Sequence, residues 1–410
     1  MDRYVGINRN RVVWVSSQPV EGAVRLPDQF AHIPDDSLLK NFRYLDNQFI
    51  NRAEPKPLDQ LKLAVIGVWK IPCGISTYTE YLMGEIGQVV PNFKIFAEHD
   101  PKAEPDPNVI RCWNRGESLN ELVDRVKEYD PDVVMIQHEY GIFPDARHWM
   151  ALLSRLWDYR VHVAFHSVYN HPDKTICEAV APNIIVHNEL ASEVLRRKGI
   201  GKPIDVIPHG CLLNEQKPRL WNLYRSPHTF MQFGFGFEYK GWENALNACA
   251  ILKEKYPDVF FTGLFSESPF SMNIHEKYFI RLQELIGKLG IAENVSIIRG
   301  FQTEEVLDSF FRLNKCAVFP YRDNGEHTVY GVTGAARVAM RHGIPVITSS
   351  VPFFYDLKGT CPQADQPEVL AGEIEKAWAD PAAHVARQDQ FLEANSWANV
   401  ARMYIKALTF

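Results

Sequence analysis

The chain is short of the groupings that most cofactor and metal chemistries require. Its seven cysteines, Cys73, Cys112, Cys177, Cys211, Cys249, Cys316 and Cys361, are scattered over 410 residues and never spaced C-x-x-C. That argues against a zinc ribbon and a disulfide framework, and it fits a reducing compartment. There is no complete GxGxxG, no phosphate-loop lysine motif, no HExxH (His138-Glu139 lacks the second histidine) and no GxSxG elbow. Dinucleotide, P-loop, zinc-hydrolase and Ser-His-Asp readings therefore lose their usual signatures. A basic excess is missing too: 44 Lys+Arg stand against 50 Asp+Glu, a net charge of -6, with no overall pull toward nucleic acid or anionic lipid. No apolar run reaches 18 residues, the length a membrane helix needs. The opening MDRYVGINRNRVVWV has no apolar core or cleavage site of a signal peptide. The expected location is cytoplasmic, with peripheral membrane association left open.

What the chain has is alternation. At 410 residues, 46% of them hydrophobic, it exceeds one ordinary core and predicts two domains. Residues 1–60 are mixed and end in NRAEPKPLDQ; they read as an appendage. From Leu61, apolar strand-like runs (LKLAVIG, FKIFA, VVMIQ, VHVAF, NIIVH, DVIP) are separated by helical stretches. This is the pattern of βα units on a parallel sheet, and it predicts a first domain over 61–215. The turn-rich stretch 212–228 suits a linker. Alternation then restarts with HTFMQFG, VFFTGLF, NVSIIRG, KCAVFPY and IPVITSS, predicting a second domain over 222–392. The closing segment, 393–410, puts Trp397, Val400, Ala401, Tyr404, Ile405 and Leu408 at helical spacing. The fold class is α/β, two Rossmann-like parallel-sheet domains in tandem.

Four histidines, His138, His166, His187 and His209, each end a strand-like run. The carboxyl edge of such a sheet is where ligands bind, so the four point to one shared crevice, with His166 and His138 the foremost candidates. Gly74 follows a strand and opens a helix, where free N–H groups and an absent side chain favour an anion or hydroxyl. In FGFGFEYKG, Gly234 and Gly236 precede Lys240 at a second strand end, a placement suited to a diphosphate. Thr333, Gly334 and Ala335 fall where a helix should begin, with Tyr321, Arg322 and Glu326 in the loop before it. Small residues there leave backbone N–H groups open to phosphate oxygens.

These strings resemble a known family. PCGISTYTEYL is similar to a first loop reading "CGIATFT", IQHEYGIF to "QHEYGIF", IPHG to "IPHG", and FGFGFEYKG to a donor loop "FGFIRPYKG". Together with SWANVARMY at the end, they make residues 61–410 resemble a GT-B glycosyltransferase of the large retaining family 4. Two glutamates common there before a "GxPVI" strand are replaced by Tyr330 and Val338. VTGAARVAMRHGIPVIT is instead similar to a subgroup reading "TSGTLAYALGAGKPVI". The resemblance implies two domains facing a cleft, a last helix crossing back onto the first domain, and transfer of a hexosyl or pentosyl group, with retention, from a nucleoside-diphosphate sugar. It implies catalytic roles for His166, Lys240 and His138. Gly74, Gly234, Gly236, Lys240, Tyr321, Arg322, Glu326, Thr333, Gly334 and Ala335 would contact the donor, and Ile75, Ser76, Glu139 and Tyr140 the acceptor. No metal or other cofactor is expected. The implied acceptor is a glycan or lipid-linked glycan; a hydroxylated base in phage-type DNA and a non-catalytic nucleotide-sugar binder are the alternatives.

Overall fold

The computed structural model describes residues 2–8, 11–28, 35, 42–45, 48–51, 56–215, 217–220, 226–267, 272–323 and 328–409. The first strands, β1 (Tyr4–Asn8), β2 (Arg11–Ser16), β3 (Val24–Arg25), β4 (Phe42–Leu45) and β5 (Gln48–Asn51), pair antiparallel in the order β3-β1-β2-β4-β5. Within the predicted appendage, then, lies a small sheet of its own.

The front domain is a parallel sheet of β6 (Leu63–Gly67), β7 (Phe93–Glu98), β8 (Val109–Trp113), β9 (Val133–His138), β10 (Arg160–Phe165), β12 (Asn183–Val186) and β13 (Ile204–Val206), while β11 (Ser167–Tyr169) leaves it. The order is β13-β12-β10-β9-β6-β7-β8. Helices α1 (Gly74–Val89), α2 (Asn120–Tyr129), α3 (Ala146–Arg155), α4 (Pro172–Val180) and α5 (Glu189–Arg197) connect the strands. Every residue of β6 and β9 is buried, which is why LAVIG and VVMIQ read as continuous apolar runs: a strand covered on both faces has no polar alternate.

The rear domain repeats the plan with β14 (Thr229–Phe235), β15 (Phe260–Ser266), β16 (Val295–Arg299), β17 (Ala317–Phe319) and β19 (Val346–Thr348), ordered β16-β15-β14-β17-β19, while β18 (Val329–Gly331) stands apart. Its helices are α6 (Trp242–Lys255), α7 (Met272–Leu289), α8 (Glu304–Leu313), α9 (Gly334–Arg341), α10 (Pro367–Ala379) and α11 (Pro381–Ala394). The α6 stripe of Trp242, Ala245, Leu246, Cys249 and Leu252 is buried in the rear core.

The last helix, α12 (Trp397–Thr409), leaves the rear domain. Its Trp397, Val400, Ala401, Tyr404 and Leu408 are buried against front-domain residues including Leu82, Ile86 and Ile207, with Val400 and Leu408 each contributing about 1.5–3 kcal/mol of apolar burial. The two crossings between domains lie side by side: Cys211 N–H donates to the Asn395 carbonyl (2.8 Å), and Trp397 N–H to the Cys211 carbonyl (3.2 Å). A third link is the pairing of β11 with β18, one strand from each domain.

Candidate functional site

At the carboxyl edge of the front sheet, three of the four histidines gather around Tyr78 of α1. Its ring centroid lies 4.7 Å from that of His166, 5.2 Å from His187 and 4.9 Å from His209. Each imidazole has one nitrogen committed. His166 Nε2 meets Gln137 Oε1 at 2.8 Å, His187 Nδ1 the Ile207 carbonyl at 3.0 Å, and His209 Nδ1 the Gly210 carbonyl at 2.7 Å. An oxygen acceptor requires the proton on the bonded nitrogen, so the other nitrogen of each ring is left as an acceptor. Burial lowers all three pKa values, His187 to about 4 and the others well below the usual range, with neighbouring charges adding to the effect. Near neutral pH the cluster is therefore uncharged and rich in acceptors, a surface suited to hydroxyl donors rather than to an anion.

His138 is a correction. Side chains alternate along a strand, and since Gln137 faces His166, His138 points to the other side. It is fully buried among Tyr140, Phe143, Trp149 and Phe165. Neither ring nitrogen has a partner among the described residues, and burial lowers its pKa to about 3. It is a core residue, and the catalytic role expected of it does not fit that position.

The rear domain supplies charge. A short 3-10 turn, Glu238–Lys240, precedes Gly241, whose φ of +67° and contact with the Pro320 carbonyl leave no room for a side chain. Lys240 is thereby turned inward and is 8% exposed. Its Nζ donates to Tyr321 Oη at 2.7 Å and lies over the rings of Tyr321 (3.9 Å) and Tyr239 (4.9 Å). Among the described residues no carboxylate pairs with it, and burial pulls its pKa down to about 7. Tyr321 Oη continues to Thr333 Oγ1 (3.3 Å), the N-cap of α9, whose hydroxyl also accepts the Ala335 N–H. Arg337 Nη1 holds the Thr333 carbonyl at 2.8 Å, and its other end pairs with Asp356. Lys240, Tyr321 and Thr333 thus form one chain of contacts ending at a helix N-terminus, where backbone N–H groups and the helix dipole favour an anion.

The two halves meet. A Cβ on Gly334 would sit 3.6 Å from His209 Nε2, so the start of α9 abuts the histidine cluster. Glu139, half-buried at the end of β9, also faces the rear domain. Tyr239's hydroxyl is pushed upward in pKa by burial first, then by Tyr169 and Glu139.

Other expected site residues are placed elsewhere. Gly74 is exposed at the start of α1 with open space around it, and Ile75 packs on the front core. Ser76 is fully buried, accepting from the Ile71 N–H and donating to Glu80, so its hydroxyl is spent on the loop. Tyr140 donates to Glu178 (3.0 Å), which pairs with Lys198; buried in that network, it is not available to an acceptor. Gly234 adopts φ +136° with open space beside it. The space beside Gly236 is filled by the Phe265 ring, so this glycine answers to packing rather than to a phosphate. Arg322 turns outward to Asn244 Oδ1 (2.7 Å) and Glu243. Glu326 lies outside the described residues. Sequence reasoning missed Tyr78, Gln137, Tyr239 and Arg337. All four sit inside quoted strings, Tyr78 in PCGISTYTEYL, Gln137 in IQHEYGIF, Tyr239 in FGFGFEYKG and Arg337 in VTGAARVAMRHGIPVIT, but the strings do not show which side chains turn toward the boundary between the domains.

A depression of about 560 Å³ on the rear domain, lined by α6, the end of α7 and the start of α10, contains none of these groups. Among the described residues no group of three His, Cys, Asp or Glu is arranged to hold a metal, and no helix is long and apolar enough to cross a membrane.

No family model and no curated protein matches the sequence. Solved structures do. They include sucrose-phosphate synthase from Thermosynechococcus elongatus (17% identity, TM-score 0.64, 85% of this chain and 98% of that one). A UDP-forming α,α-trehalose-phosphate synthase from Burkholderia vietnamiensis matches at 11% identity and TM-score 0.63, over 85% and 97%. A glycosyltransferase from Rickettsia africae matches at 13% and 0.64, over 85% and 97%. With two parallel-sheet α/β domains, a final helix returning to the first, and this breadth of structural agreement, the chain has the GT-B fold.

Proposed function

We propose that the chain is a glycosyltransferase that moves a sugar from a nucleoside-diphosphate sugar to an acceptor hydroxyl. The observation that carries this is the opposition across the domain boundary. A lysine and a capped helix N-terminus stand on the rear domain, and neutral histidine acceptors on the front. A sugar diphosphate has the matching polarity, anionic at one end and hydroxyl-rich at the other. Three neighbours are named as a glycosyltransferase or as synthases of phosphorylated disaccharides, one of them UDP-forming. This supports a nucleotide-sugar donor and adds a sugar phosphate to the acceptor classes. The motif strings support kinship with family 4 and, through it, retention of configuration.

In this reading the leaving diphosphate lies at the start of α9. Its growing negative charge is met by the positive end of the α9 dipole and by Lys240, which takes up a proton as the anion arrives. Charge placed in advance where it develops in the transition state lowers the barrier. His166 and His209 accept hydrogen bonds from the sugar hydroxyls and orient them, with His187 buried behind, Glu139 lies at the mouth toward the acceptor, and contact between the domains limits hydrolysis by water.

Thermal unfolding with UDP, GDP, ADP and their sugars tests the proposal. One nucleotide at 100 times its Kd should add about 2.7 kcal/mol of stability, a rise of several degrees. Lys240→Ala should weaken that nucleotide by at least ~10-fold, the loss of one charge-assisted contact. Unchanged transfer and donor hydrolysis in Lys240→Ala would remove its assigned role.

A further inference from the structure

We propose that β11 and β18 form an interdomain latch, through which the front domain shapes the rear domain's phosphate loop. This rests on the functional reading above. The loop's described ends are Tyr321 and Thr333, the two residues that join Lys240 to α9. Among the described residues its strand β18 has no partner in the rear sheet. It pairs with β11, antiparallel, in the register Ser167↔Gly331, Val168↔Tyr330, Tyr169↔Val329.

A two-stranded ribbon is marginal in water by itself, so the latch needs anchors, and three are present. Tyr330 leaves its own domain and packs on the front core beside Val168. Asn188, the N-cap of α5, donates from Nδ2 to the Gly331 carbonyl at 2.9 Å. Gly331 lies so close to the His166 carbonyl that any Cβ would overlap it. β11 begins one residue after His166, and Thr333 lies two residues beyond Gly331. The latch therefore fixes sugar-side and phosphate-side groups relative to each other. Opening the domains breaks the ladder, frees the loop and unmakes the phosphate site, so nucleotide exchange requires the latch to open.

The opposed pair offers a direct test. Directly opposite residues of an antiparallel pair have Cα atoms about 4.5–5.5 Å apart, within disulfide range. The double variant Val168→Cys, Tyr330→Cys in the full chain should cross-link under mild oxidation, while each single variant should not. The seven native cysteines are unpaired, and six of them are buried. With fluorescent UDP, GDP and ADP as probes, exchange of whichever binds should slow at least ~10-fold on oxidation and recover with reductant. Failure of the folded double variant to cross-link overturns the latch. Cross-linking with unaltered exchange overturns its control of the site. Should the double variant not fold, Gly331→Ala provides the second arm. It should enlarge the radius of gyration in small-angle scattering and raise the donor KM more than it lowers kcat, and an unchanged radius overturns the proposal. If the wild type binds none of the three nucleotides, the functional reading falls while the cross-link still decides the latch.

Discussion

At the scale of the residue, Lys240 is the sharpest consequence of burial. A lysine brought indoors without a carboxylate sheds its proton, and its pKa of about 7 lies far below the unfolded value near 10.4. Between those values the unfolded chain binds a proton that the folded chain does not. Stability from this group therefore rises with pH over that window, by at most about 1.4 kcal/mol per unit. Lys240→Met should flatten the rise and be the more stable protein near pH 7. Urea midpoints of both proteins at pH 7 and pH 9 decide this; parallel shifts would show Lys240 charged and solvated. Lys240, Thr333 and Gly334 were legible in the sequence because strand–turn–helix punctuation marks a sheet edge. His138 was not, because a strand-end histidine faces the cleft or the core according to a one-residue alternation that no composition reveals. Ser76 and Tyr140 misled because their hydroxyls are already spent, Ser76 on Glu80 one helical turn along the same string and Tyr140 on Glu178, which no local string announces.

At the scale of the element, α12 shows how a periodic stripe can be right about burial and silent about mechanism. The spacing of Trp397, Val400, Ala401, Tyr404 and Leu408 predicts an apolar face, and the family resemblance predicts the domain that receives it. Neither reveals that Tyr404 meets Tyr78, hydroxyl to hydroxyl at 2.9 Å, both rings buried. Tyr78 is also the ring on which His166, His187 and His209 rest, so the terminal helix braces the histidine cluster from behind. Removing one hydroxyl strands the other without water, and removing both leaves two apolar rings in contact. Tyr78→Phe and Tyr404→Phe should each cost about 1–3 kcal/mol, and the double variant clearly less than their sum. Denaturant unfolding of the four proteins measures this coupling; strict additivity would mean that the pair contributes nothing as a pair.

At the scale of the molecule, the alternation of strands and helices made two domains legible, but their junctions were not. β11 and β18 are three residues each and lie some 160 residues apart in sequence, so nothing local marks them as partners. The paired crossings are still farther apart in the chain, yet they share one packing detail: a Cβ on Gly210 would overlap the Trp397 indole. The front domain's last loop and the first turn of the returning helix are fitted at that point, and the same indole packs against Tyr78 at 4.9 Å. Gly210→Ala forces Trp397 outward, and with it the N-terminal turn of α12. Overpacking of this kind costs about 1–3 kcal/mol. Because α12 belongs by sequence to one domain and by packing to the other, its displacement should also uncouple them. Wild-type unfolding followed by tryptophan fluorescence and by far-UV circular dichroism should give one shared transition, while Gly210→Ala should split them, with fluorescence moving first. If both probes stay superimposed and the midpoint does not move, the crossing is not the joint through which the two halves hold each other.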